Sequence, residues 1–153
     1  MAHADKGPVV IRKTILKIPC RYRELGLVRE SVVEQAARAS LTEDQIAQVE
    51  MAVDEACTNI IEHSYGGESA ASQIHKTGIV IHLIQFTDRF VVDIFDHGTG
   101  FDFSTQTPIS PDDWTKSQME RGLGLHIITS FVDDYCYERG TRDGNYLRLT
   151  KRI

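Results

Sequence analysis

The chain has 153 residues, 41% of them hydrophobic and 25% charged, with a formal net charge of -5; this suits one soluble globular domain. A domain of this length buries roughly 68–70% of its unfolded surface, so it needs no disulfide or metal staple. No Lys/Arg block occurs, which argues against a nucleic-acid partner.

Residues 1–8 are polar and read as a flexible N-terminus; without an apolar core they make no signal peptide. The longest apolar stretch, 79–86, is interrupted by His82 and Gln85 and falls far short of the ~20 residues of a membrane span. Cys20, Cys57 and Cys136 are odd in number and widely separated, so they read as free, partly buried thiols of a cytoplasmic protein.

Residues 9–18 are rich in β-branched side chains and read as a strand, ended by Pro19. Residues 22–39 carry Leu25, Val28, Val32 and Ala36 at helical spacing. Thr42 followed by Gln45 is a capping box, and the helix it opens runs to about Tyr65. Its apolar stripe is Ile46, Val49, Val53, Cys57 and Ile60. Gly66-Gly67 stops it, and a polar loop covers 68–77.

Residues 78–87 and 89–96 are apolar runs separated only around Asp88, a hairpin signature. Residues 97–121 lack periodicity and contain Pro108 and Pro111; a loop of that length is usually functional, often a lid. A helix over 122–132 and a hairpin of 135–139 with 146–153, turning through 140–145, complete the chain. Hairpins grouped apart from helices predict an α+β two-layer sandwich, with a mostly antiparallel sheet and three main helices on one face.

Three segments carry candidate chemistry. In the second helix, Glu55, Asn59 and His63 recur at i, i+4 and so share a face. A carboxylate one turn from an amide can divide two jobs, general base for Glu55 and Mg²⁺ ligand for Asn59. Taken alone, a solvated polar face is the simpler account. The second segment is Asp96-His97-Gly98-Thr99-Gly100-Phe101, directly after a strand. A buried Asp can accept the exocyclic amine of adenine, and glycines let a flat base approach; an Asx turn in a glycine-rich loop explains the same residues.

The third is Arg121-Gly122-Leu123-Gly124-Leu125, which opens a helix. Free N–H groups at a helix start bind phosphates, and Arg121 adds a charged fork; alternatively the glycines only let the helix pack tightly on the sheet. This is neither a P-loop nor a dinucleotide fingerprint. The six histidines form no zinc motif, His82 reads as a half-buried sheet residue, and Ser64, Cys57 and Cys20 show no nucleophile signature.

The order of the three segments is more specific than any one of them. Glu-x-x-x-Asn on a helix, Asp-x-Gly-x-Gly-Phe after a strand and Gly-x-Gly-Leu before a helix resemble the N, G1 and G2 boxes of the GHKL (Bergerat-fold) ATPases. Within that superfamily the chain is most similar to the anti-sigma factor serine-protein kinases, through Glu55-Ala56-Cys57-Thr58-Asn59 with His63-Ser64-Tyr65, Arg121 to Leu125 with Ile127-Ile128 and Asp133, and the join from Ile18-Pro19 to Leu25.

The resemblance covers the chain as a single ATP-binding kinase domain. It implies Glu55 as catalytic base and Asn59 as Mg²⁺ ligand. It implies Asp96 as the adenine contact, Gly98 and Gly100 lining the base pocket, Gly122 and Gly124 at the phosphates, and His63, Phe101, Arg121, Leu123 and Leu125 among the ATP-binding residues. One departure is Asn145-Tyr146, where the family begins its last strand with threonine, whose hydroxyl backs up the adenine contact. Asn145 is expected to substitute.

The implied function is a Mg-ATP-dependent kinase that phosphorylates a small STAS-type antagonist on Ser/Thr and sequesters a sigma factor or another target, as a homodimer, with no membrane or nucleic-acid partner. The alternatives are a non-catalytic ATP-dependent binding module and a detached histidine-kinase catalytic domain. The latter is disfavoured because no helical hairpin with a phosphoacceptor histidine precedes the domain.

Overall fold

A computed structural model describes residues 7–71, 78–100 and 126–153. Strand β1 (Val10–Ile18) leads through a 3₁₀ turn into α1 (Leu25–Arg38), and α2 spans Glu43–Asn59. The capping box is formed: Thr42 Oγ1 accepts from the Gln45 N–H at 3.2 Å, and Gln45 Oε1 from the Thr42 N–H at 2.9 Å. All four predicted apolar positions of α1 are buried. In the stripe of α2, Val49, Val53, Cys57 and Ile60 are buried and Ile46 packs against them.

The predicted single helix to Tyr65 changes character one turn early. It is α-helical to Asn59 and π-helical over Ile60–Ser64, closed by the Tyr65 N–H on the Ile60 carbonyl at 2.9 Å. The polar loop that follows contains a short helix, α3 (Glu68–Ala71).

Strands β2 (Ile79–Phe86) and β3 (Arg89–Asp96) form the predicted hairpin. Residues 126–131 are helical and lie within the predicted third helix. The last hairpin, β4 (Asp134–Thr141) with β5 (Gly144–Arg152), is longer than predicted and turns on Arg142 and Asp143 alone, with an irregularity between Glu138 and Thr141. The expected lid, 103–119 with Trp114, lies outside the described residues.

The sheet has five strands in the order β1-β2-β3-β5-β4, and every neighbouring pair is antiparallel. One buried cluster joins α1, α2 and Ile128 to Ile79, Ile81, Leu83, Phe90, Val92, Ile94, Leu147 and Leu149 of the sheet. Helices on one face of an antiparallel sheet are the predicted two-layer arrangement. Lys151 pins the layers together from β5, donating to Gln48 Oε1 at 2.7 Å and to the Phe131 carbonyl at 3.0 Å.

On the other face, Asp93 takes a two-point contact from Arg148 at 2.8 and 2.9 Å, and Phe95 lies between His82 and Tyr146 with ring centres 5.0 Å from each. His82 is half-buried as predicted, and burial lowers its pKa. Cys20 and Cys57 are buried, whereas Cys136 is exposed on β4 rather than partly buried. Among the described residues no helix is long and apolar enough to cross a membrane.

Candidate functional site

Glu55 and Asn59 stand one turn apart in the α-helical part of α2. They do not share a solvated face. Asn59 is only 7% exposed, and its Nδ2 is buried without a hydrogen-bond partner among the described residues. A buried amide left unpaired is costly, and a binding site is a common reason for one. Glu55 is half-buried; burial raises its carboxyl pKa above the ordinary value, and the charges of Asp54 and Glu62 push the same way. That moves it toward the range in which a general base works at neutral pH.

His63 falls in the π turn, where closure takes five residues instead of four. The i, i+4 stripe therefore ends at Asn59. His63 is half-buried, with Nε2 3.8 Å from the Glu62 carboxylate.

The π turn delivers Ser64 and Tyr65 to the loop after β3. Every backbone N–H from 97 to 100 is taken up there. His97 donates to Tyr65 Oη at 2.9 Å, Gly98 to Asp96 Oδ1 at 2.9 Å, Thr99 to the Ser64 carbonyl at 2.7 Å and Gly100 to Ser64 Oγ at 2.9 Å. Tyr65 in turn donates to the Gly78 carbonyl at 2.7 Å. Three of these four bonds end on Ser64 or Tyr65, so the end of α2 and the Asp96 loop form one unit.

The glycines of this loop have identifiable reasons. A Cβ at Gly98 would overlap the Ser64 carbonyl oxygen. Gly100 has φ +76° and no room beside Tyr137 Oη, which a Cβ would approach to 2.8 Å. The close approach that excludes a side chain at Gly98 is thus made by the protein's own backbone.

Asp96 is 2% exposed and faces Asn145, 3% exposed, across the β3–β5 register. Oδ1 of Asp96 accepts from Ser64 Oγ, from the Gly98 N–H and from Asn145 Nδ2, the last two at 2.9 Å. Asn145 Nδ2 also donates to the Gly98 carbonyl at 2.9 Å, and its Oδ1 accepts from the Gly140 N–H at 3.0 Å. Asn145 therefore supports the Asp96 carboxylate, and its amide is engaged by protein groups.

Phe101, Arg121, Gly122, Leu123, Gly124 and Leu125 lie outside the described residues. Sequence reasoning passed over Ser64, because only the fold brings it to Asp96; a small polar residue just after the helical Asn59 was the available signal. The two buried thiols are unsuited to nucleophilic chemistry, since burial pushes Cys20 up to about 11 and raises Cys57 as well.

The sequence profile of the histidine kinase-like ATPase domain matches residues 18–151. The chain belongs to the histidine kinase-like ATPase family. Relatives named serine-protein kinase RsbW include the following three. That of Bacillus velezensis is 32% identical over 123 residues, covering 78% of this chain and 73% of the relative. That of Bacillus cereus (strain AH187) is 31% identical over 126 residues, with coverage of 80% and 74%. That of Bacillus subtilis (strain 168) is 29% identical over 123 residues, with coverage of 78% and 73%.

Membership of the histidine kinase-like ATPase family implies use of ATP, which a divalent cation commonly accompanies. Among the described residues no three His, Cys, Asp or Glu side chains group around a metal position. A Mg²⁺ ion held chiefly by phosphates and water needs few protein ligands, all of them oxygen; at Asn59 the amide oxygen Oδ1 would be the ligating atom, since the unpaired Nδ2 is a donor. The buried Asp96 acceptor suits an amino-substituted base.

Proposed function

We propose that the protein is an ATP-dependent serine/threonine kinase of the partner-switching type. It would phosphorylate a small STAS-type antagonist and hold a sigma factor or other regulatory target. The observation that carries this reading is the half-buried carboxylate of Glu55, its pKa raised by burial, one turn of α2 before the buried amide of Asn59. The names of the serine-protein kinase relatives point the same way.

In this reading Asp96 receives the adenine amine, in a pocket built with Gly98, Gly100, Phe101 and the supporting Asn145. Arg121, Gly122, Leu123, Gly124 and Leu125 meet the phosphates, a role resting on sequence alone, with His63 near them. Asn59 Oδ1 would hold a Mg²⁺ ion, which would supply positive charge to offset that of the phosphates. Glu55 accepts the proton of the substrate serine hydroxyl as its oxygen bonds to the γ-phosphorus, with ADP as leaving group. Removing such a base costs ~10²–10⁴ in rate.

The protein would act in the cytoplasm as a homodimer. The test is incubation with Mg-ATP and the antagonist from the same cell, followed by mass spectrometry. A phosphoserine or phosphothreonine on the antagonist is expected. Tight ATP-dependent association without any phosphate transferred would favour a sequestering module instead.

A further inference from the structure

A carboxylate as buried as Asp96 needs donors to hold its charge. What distinguishes this one is that each side-chain donor has its direction fixed by a second bond. Ser64 Oγ accepts the Gly100 N–H at 2.9 Å, and its single proton is directed to Asp96 Oδ1. Asn145 Oδ1 accepts the Gly140 N–H, which sets the amide so that Nδ2 divides its hydrogens between Asp96 Oδ1 and the Gly98 carbonyl. With the Gly98 N–H, three donors converge on one oxygen.

A carboxylate gripped so at Oδ1 presents Oδ2 in one direction, as an acceptor only. Such an acceptor pairs with an amino group and rejects an oxo group or a bare C–H, which would leave it desolvated and unpaired. Asn145 has its amide hydrogens and oxygen engaged, so it supports without reading the base. Ser64 is the donor on the helix side, delivered by the π turn directly after Asn59.

We infer that Ser64 is a positioning residue that determines nucleobase specificity: its hydroxyl fixes the Asp96 carboxylate as the acceptor for the amino group of 6-aminopurine nucleotides. This rests on the nucleotide-binding reading given above.

The test is calorimetry on the full chain with ADP and with the diphosphate of purine riboside, which lacks only the 6-amino group. The comparison includes wild type, Ser64→Ala and the nearly isosteric Ser64→Cys, a weak donor, with circular dichroism melts to verify folding. Wild type is expected to prefer ADP. Ser64→Ala should lose about tenfold in ADP affinity, the size of one hydrogen bond to a charged group, with little change for the analogue, and Ser64→Cys should fall between. If Ser64→Ala does not fold, the cysteine variant decides by the same comparison. Equal losses for both ligands, or no loss for either, would overturn the role of Ser64 while leaving Asp96 in place. Wild type binding both ligands equally would remove the base contact itself, and with it both readings.

Discussion

With the proposed role as base, Glu55 sets function against stability at a single side chain. Its carboxyl pKa is raised in the folded protein by burial, then by Asp54 and Glu62. The folded state therefore binds the proton more tightly than the unfolded chain. Its contribution favours folding below the unfolded value, near 4.3, and is lost as pH rises through the higher folded value. At neutral pH the ionised Glu55 works against the fold. Glu55→Gln should raise the melting temperature at pH 7 and leave it nearly unchanged at about pH 4, in a pair of calorimetric scans. The same ionisation should shape activity: transfer by the wild type should fall on acidification with a midpoint above that of an ordinary glutamate. Glu55, Asn59 and Asp96 stand out in the sequence as candidates only jointly, through the order of the three segments and the family resemblance it carries, since spacing and strand position alone fit a solvated face and an Asx turn as well. Ser64 does not stand out, since its partners Asp96 and Gly100 lie 32 and 36 residues away in the chain.

At the level of elements, local signals were readable where the chemistry is local. Thr42 and Gln45 form the capping box their spacing announced, and Thr42→Ala should cost about 1 kcal/mol of stability by urea denaturation. The π turn over Ile60–Ser64 was invisible, because the apolar period continues smoothly through Ile60 and nothing in the residue types marks the wider closure. The last hairpin was read too short for a related reason. Gly140 looks like a turn residue, yet its N–H is bonded to Asn145 Oδ1, and the chain turns two residues later. In the sequence Gly98 reads as a residue that lets a ligand approach. The structure adds a nearer cause in the Ser64 carbonyl. Gly98→Ala must push the loop away from the end of α2, so it should destabilise by ~1–3 kcal/mol and weaken ADP binding together, measured by denaturation and calorimetry on the same preparation.

For the whole molecule, the layer arrangement followed from the grouping of helices and hairpins, but the sheet order β1-β2-β3-β5-β4 depends on how the chain passes from β3 to β4, which residue types do not state. That order leaves β1 at an edge, with Val9, Val10, Ile11 and Ile15 each at least half exposed. An exposed apolar edge invites pairing, and the proposed homodimer would cover it. Light scattering should then give a dimer mass for the wild type, and Ile11→Lys with Ile15→Lys should shift it to the monomer; a wild-type monomer at high concentration would count against the assembly.

The proposed division of labour, Glu55 serving transfer and Asn59 the bound metal nucleotide, is tested most directly by radiolabel transfer from Mg-ATP to the antagonist, with ATP affinity measured alongside for wild type, Glu55→Gln and Asn59→Ala. Glu55→Gln should bind ATP nearly as wild type yet transfer ~10²–10⁴ times more slowly, while Asn59→Ala should lose both. Transfer by Glu55→Gln at the wild-type rate would contradict the assignment.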